Sequence, residues 1–125
     1  MLKINDFAKE VGKNADAHGW WDEERTFGEL IALCHSELSE ALEEYRKGKK
    51  PNETYYSAKE HGMTVISKTK QPGYDKPEGI PSELADVIIR ICDMCHHYGI
   101  DLKKALLEKH EYNKSRPYKH GGKTL

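Results

Sequence analysis

An all-α fold of the four-helix-bundle type, interrupted by one irregular insertion, is predicted by three observations. Four segments repeat apolar residues at three- and four-residue steps. Capping residues and glycines stand where those segments should begin and end. The one stretch where the periodicity fails, residues 49–80, carries a cluster of Pro and Gly.

The first helix spans Ile4–Ala17, with Ile4, Phe7, Ala8, Val11 and Ala15 on one stripe. Gly12 weakens it and His18-Gly19 ends it. The second starts at Thr26, where Thr26-Phe-Gly-Glu29 reads as a capping box, and runs to about Lys47 before Gly48. Its apolar stripe is Leu30, Cys34, Leu38, Ala41, Leu42 and Tyr45. In the insertion from Lys49 to Ile80, Met63-Thr-Val-Ile66 reads as a short strand that can form a hairpin with the Thr54-Tyr-Tyr region. A loop of that length inside a domain points to function or disorder. The third helix opens after Ile80-Pro81-Ser82, where Pro costs no hydrogen bond, and continues through Leu84, Val87, Ile88, Ile91, Cys92 and Cys95 to Tyr98. Asp101 caps the fourth, which runs to about Ser115 with Leu102, Ala105 and Leu106 as its buried stripe. Residues 117–125 form a tail, and the whole of 1–125 reads as a single domain.

Composition narrows the function classes. Lys plus Arg number 20 and Asp plus Glu 21, so a basic grip on a nucleic-acid polymer is not expected. Apolar residues are 37% and charged residues 33%, with a mean hydropathy of −0.84. That lean core suits helices with charged outer faces and a partner chain of the same kind. No apolar run reaches the ~18 residues of a membrane span. Three cysteines without an export signal point to a reduced, cytoplasmic setting.

Two acidic motifs carry the chemistry. The second helix holds Glu37-Leu-Ser-Glu40 and the third opens with Glu83-Leu-Ala-Asp86. Acids three residues apart leave a helix from nearly the same face and repel unless a cation lies between them. Helix geometry puts Glu37 and Glu40 at the margin of the apolar stripe. Two antiparallel helices can therefore converge four carboxylates, a hard donor set suited to Mg²⁺ with Mn²⁺ as a substitute. The bland alternative is that Glu83 and Asp86 favour the helix dipole and the others are solvated. A ferritin-like di-iron site would need Glu-x-x-His pairs, which neither motif supplies.

These motifs, with Leu33-Cys-His-Ser-Glu-Leu-Ser-Glu-Ala-Leu42, Glu83-Leu-Ala-Asp-Val-Ile-Ile-Arg90, Tyr98-Gly-Ile-Asp-Leu102 and Lys109-x-x-x-Asn113-x-x-Arg116, resemble the MazG-like all-α nucleoside triphosphate pyrophosphatases over residues 15–120. The resemblance implies Mg²⁺-dependent hydrolysis of (deoxy)nucleoside triphosphates to monophosphate and pyrophosphate, in nucleotide-pool housekeeping. Glu37, Glu40, Glu83 and Asp86 would be metal ligands and catalytic groups, in a homodimer or dimer of dimers. The insertion from Lys49 to Ile80 is longer than the connection in compact members. Lys109, Asn113 and Arg116 continue the stripe of the fourth helix, where a triphosphate would satisfy them; alternatively the helix end leaves the core and they are solvated. The rival functions are a relative narrowly specific for dUTP or dCTP, and a non-catalytic helical metal-binding or assembly module.

Other candidates have weaker chemistry. Trp20 and Trp21 precede the second helix; packing is the first reading, and Trp21 stacking on a nucleobase the second. Tyr55, Tyr56 and Tyr74 are further base contacts or exposed loop aromatics. Cys92-Asp-Met-Cys95-His96 matches a haem-attachment string, yet it lies on an apolar helical stripe, where small thiols pack as core. His35 stands two residues before Glu37, and a structural role is expected. The basic tail after Arg116 either closes over phosphates or is an ordinary solvated end.

Overall fold

Helix α1 (Ile4–Ala17) is followed by a short 3-10 turn (Trp20–Asp22) and by α2 (Phe27–Arg46) in the computed structural model, which describes residues 1–118. Three strands come next, β1 (Tyr55–Glu60), β2 (Met63–Ser67) and β3 (Lys76–Glu78), then α3 (Ile80–His97) and α4 (Leu102–Lys114). The caps explain the helix ends. Thr26 Oγ1 accepts from the Glu29 N–H at 3.1 Å, and an Asp101 carboxylate oxygen accepts from the Lys104 N–H at 3.0 Å. Residues 119–125 of the expected tail lie outside the described residues.

The all-α class is overturned by the insertion. It folds into a three-stranded antiparallel sheet in the order β2-β1-β3, so the fold is mixed α/β. The hairpin between the Tyr55 and Met63 regions is present, with Glu60 opposite Met63 and Tyr56 opposite Ser67. Its two-residue turn, His61-Gly62, holds both residues at positive φ (51° and 78°), the geometry of a tight right-twisting hairpin. His tolerates that conformation better than most non-Gly residues. The strand absent from the expectation is β3, whose Pro77 opposes Tyr56. Proline cannot donate to a ladder, but β3 is an edge strand and can accept it.

Two compact units make up the chain: Gly19–Ile91, and Met1–His18 with the residues from Cys92 onward. In the terminal unit, α1 packs on α4. Asn5 ties them: its amide donates to an Asp101 carboxylate oxygen at 2.9 Å and its carbonyl accepts from the Lys103 N–H at 3.0 Å. Gly12 is buried against the His96 imidazole, which would have to move to admit a Cβ there. Cys92 is completely buried and Cys95 nearly so, as expected for core thiols. The stripe expected to be buried on α4 is not: Leu106 is exposed and only Leu102 is half-buried.

In the central unit, the buried face of α2 is Leu30, Glu37 and Ala41, with Cys34 half-buried beside them. This stripe differs from the one expected. Leu38, Leu42 and Tyr45 are exposed, and with Phe27 and Ile31 they form a second apolar stripe. At ~100° per residue the two stripes lie roughly 75° apart around the helix. Glu37 is therefore central to the buried face and not at its margin.

Candidate metal centre

The central unit brings one oxygen from each of Glu37, Glu83 and Asp86 within 4.8 Å of one another. α2 contributes Glu37 from the middle of its buried face, and the first turns of α3 contribute the other two. The chain enters α3 through Gly79 at φ 107°, where a Cβ would strike the Glu53 carbonyl oxygen. Only glycine allows the backbone that close, and this approach sets where α3 begins and so where Glu83, in its first turn, is placed.

Glu37 is only 9% exposed and is held by Arg90, whose Nε donates to Oε1 at 2.7 Å. The Arg90 guanidinium also lies 5.3 Å from the centroid of the Trp20 ring, and Arg25 stacks on the same ring at 3.6 Å. Arg25 is fixed by donating from Nε to the Trp20 carbonyl at 2.9 Å. Arg90 offsets the charge of Glu37, and Glu83 and Asp86 are left to repel each other.

The remaining acids bear the repulsion. Burial, followed by a hydrogen bond with Glu40 and by the charges of Glu40, Asp86 and Glu37, pushes Glu83 up to about 7. Burial and the Glu37 charge also raise Asp86, against the opposing effects of Arg90 and Lys76. Cys34, one turn before Glu37 on α2, is raised mainly by burial. One oxygen of Glu83, Oε2, is buried with no hydrogen-bond partner. A buried carboxylate oxygen without a hydrogen-bond partner, on a residue grouped with two further carboxylates, fits the all-oxygen donor set of a hard cation.

The sheet borders this site. The Tyr55 hydroxyl on β1 donates to both oxygens of Glu44 at 2.8 and 3.1 Å, and Lys49 lies 4.3 Å over its ring. Burial and then the Glu44 bond push the Tyr55 hydroxyl well above its ordinary range.

The sequence-predicted residues divide clearly. Glu37, Glu83 and Asp86 converge, and Glu40 stands outside the cluster but bonds to Glu83. His35 is exposed. Trp21 shares the 3-10 turn, but Trp20 is the indole stacked beside the acids. Lys109, Asn113 and Arg116 belong to the terminal unit; Lys109 Nζ sits 5.0 Å over the Tyr112 ring there. Among the described residues, the cysteines join no metal-holding group. Arg90 and Tyr55 escaped sequence reasoning as partners. The available signal was Arg90's position seven residues after Glu83, on the same face of the helix. No helix of the described residues is long and apolar enough to cross a membrane.

No family model, curated protein or solved structure matches this chain.

Proposed function

We propose that this protein hydrolyses nucleoside triphosphates to the monophosphate and pyrophosphate with Mg²⁺, Mn²⁺ serving as a substitute. The observation that carries the reading is the convergence of Glu37, Glu83 and Asp86, with Glu83 Oε2 buried and unpaired. The donor set is all oxygen, which suits a hard divalent ion. When bound, Mg²⁺ neutralises phosphate oxygens and acidifies a coordinated water.

The chain's own residues do the rest. Glu37, oriented by Arg90, and Asp86 would hold the ion with Glu83, which must release its proton to do so. The proton that Glu83 gives up goes to solvent, which leaves Glu40, bonded to Glu83, as the best candidate for a base toward water. Trp20, already faced by two guanidinium groups, offers an aromatic surface at the edge of the site. Lys109, Asn113 and Arg116 stay in the reading as phosphate or sugar ligands through the sequence resemblance.

Assembly into homodimers, or dimers of dimers, belongs to the same proposal. Phe27, Ile31, Leu38, Leu42 and Tyr45 form one exposed apolar stripe on α2, and Leu84 and Ile88 are exposed on α3. Contiguous apolar surface of that kind marks an interface.

A nucleotide panel, assayed for phosphate release with and without added inorganic pyrophosphatase, tests the activity. Phosphate that appears only with pyrophosphatase and Mg²⁺, and vanishes in Glu83→Gln, is the expected result. Absence of Mg²⁺-dependent product across the panel would remove the hydrolase reading.

A further inference from the structure

The sheet carries a basic pocket that the acidic motifs do not explain. Antiparallel register places Lys76 of β3 directly opposite Ser57 of β1, and Lys59, two residues further along β1, opposite Thr64 of β2. Side chains alternate across a sheet, so Ser57, Lys59, Thr64 and Lys76 share one face. Together with Ala58 and Glu78 they line a cavity of about 240 Å³. Ser57 is 7% exposed and forms its floor. Lys59 Nζ donates to Thr64 Oγ1 at 2.7 Å, and Lys76 Nζ lies 3.4 Å from a Glu78 oxygen.

Tyr55 occupies the same face, two residues before Ser57, and reaches Glu44 on α2. The pocket therefore opens on the side of the sheet that faces the acid-bearing helices. The field of Lys76 at Asp86 agrees with this placement. The cavity is smaller than the ~300–1,000 Å³ that drug-sized ligands fill, so it suits one end of a nucleotide and not the whole of it. Two lysines, a serine and a threonine supply donors that suit an anion with many oxygens, with Glu78 as the acid among the lining residues.

We infer that this pocket receives the phosphate chain of the nucleotide, with Lys76 exchanging Glu78 for phosphate oxygens and Lys59 and Ser57 completing the grip. The inference rests on the hydrolase reading for the identity of the ligand, though not for the existence of an anion site. It gives the insertion a function: the sheet supplies the cationic half of a site whose acidic half lies on α2 and α3.

Inorganic pyrophosphate with Mg²⁺ is the probe, titrated calorimetrically into the full chain and into Lys76→Met and Lys59→Met. Both lysines are exposed, and circular dichroism checks that the variants fold. Lys76→Met should weaken pyrophosphate binding ~10- to 100-fold and Lys59→Met by less, the range expected for losing a charge-assisted hydrogen bond. Mg²⁺ affinity without pyrophosphate should stay within about twofold, because a lysine is not a metal ligand. Wild-type pyrophosphate affinity in both variants, or no binding by the unmodified chain, would overturn the site. An equal loss of Mg²⁺ affinity would also overturn it, by assigning the effect of Lys76 to Asp86 alone. Pyrophosphate binding through Lys76 in a protein that hydrolyses no nucleotide would keep the pocket and sink the hydrolase reading. Hydrolysis that is indifferent to both lysines would do the reverse.

Discussion

Replacing Glu83 with Gln separates the electrostatic cost of the acid cluster from its geometry. The side chain keeps its shape, and its amide can still donate to Glu40 as the protonated acid does. The ordinary pKa of 4.5 is raised to about 7 in the folded protein, so the folded state binds this proton more tightly than the unfolded one. Stability from this group is therefore fully present below about 4.5 and is lost as pH rises through about 7. A shift of that size corresponds to roughly 3 kcal/mol, and screening in a half-open site reduces it to about 1–2 kcal/mol. Metal-free wild type should thus lose about 1–2 kcal/mol more than Glu83→Gln between pH 5 and pH 8. In a domain of this size that is a difference in Tm change of about 3–8 °C. Thermal melts of both proteins at the two pH values, in chelator, measure it. At pH 8, Mg²⁺ at a hundred times its Kd should raise wild-type stability by ~2.7 kcal/mol and the variant's by much less. Identical pH responses in chelator would refute the assignment of the repulsion to Glu83.

Arg90→Gln should destabilise the metal-free protein by about 1–3 kcal/mol, because Glu37 is left charged beside two acids; Arg90→Lys should lose about half as much. Urea midpoints measure this, and Mg²⁺ should restore more stability to Arg90→Gln than to wild type; an equal increment would argue that the ion does not meet Glu37. A Leu38→Glu, Leu42→Glu double substitution should turn an oligomer into a 14.4 kDa monomer by light scattering, whereas a wild type that is already monomeric at micromolar concentration would contradict the interface. Gly79→Ala, which forces a Cβ against the Glu53 carbonyl at φ 107°, should cost at least ~1–3 kcal/mol and weaken Mg²⁺ binding by shifting the start of α3; wild-type values for both would show that the entry to α3 is not constrained.

The four helices were legible because their signals are local. Thr26, Gly48, Asp101 and Gly99 mark ends, and apolar steps of three and four mark the segments between them. That each acidic pair shares one helix face was legible for the same reason, since three-residue spacing fixes a common face; that Glu37, Glu83 and Asp86 converge without Glu40 was not. Strand β3 was not, because three residues containing a proline carry no periodic signal and become a strand only when β1 supplies the partner ladder. The buried face of α2 was ambiguous from sequence alone. Leu30, Cys34 and Ala41 share three- and four-residue steps with Leu38, Leu42 and Tyr45, so the six read as one stripe, while the fold buries the first three and exposes the others. That choice moved Glu37 from the margin to the interior and gave it Arg90 as a partner 53 residues away. Separations of that length have no local cost or benefit until the chain closes on itself. The sequence by itself determined the helices and the acids they carry. The tertiary structure alone decided which face of α2 is inside, which cation answers Glu37, and that the insertion folds into a sheet whose Tyr55 reaches Glu44 on α2, because each depends on partners distant in the chain.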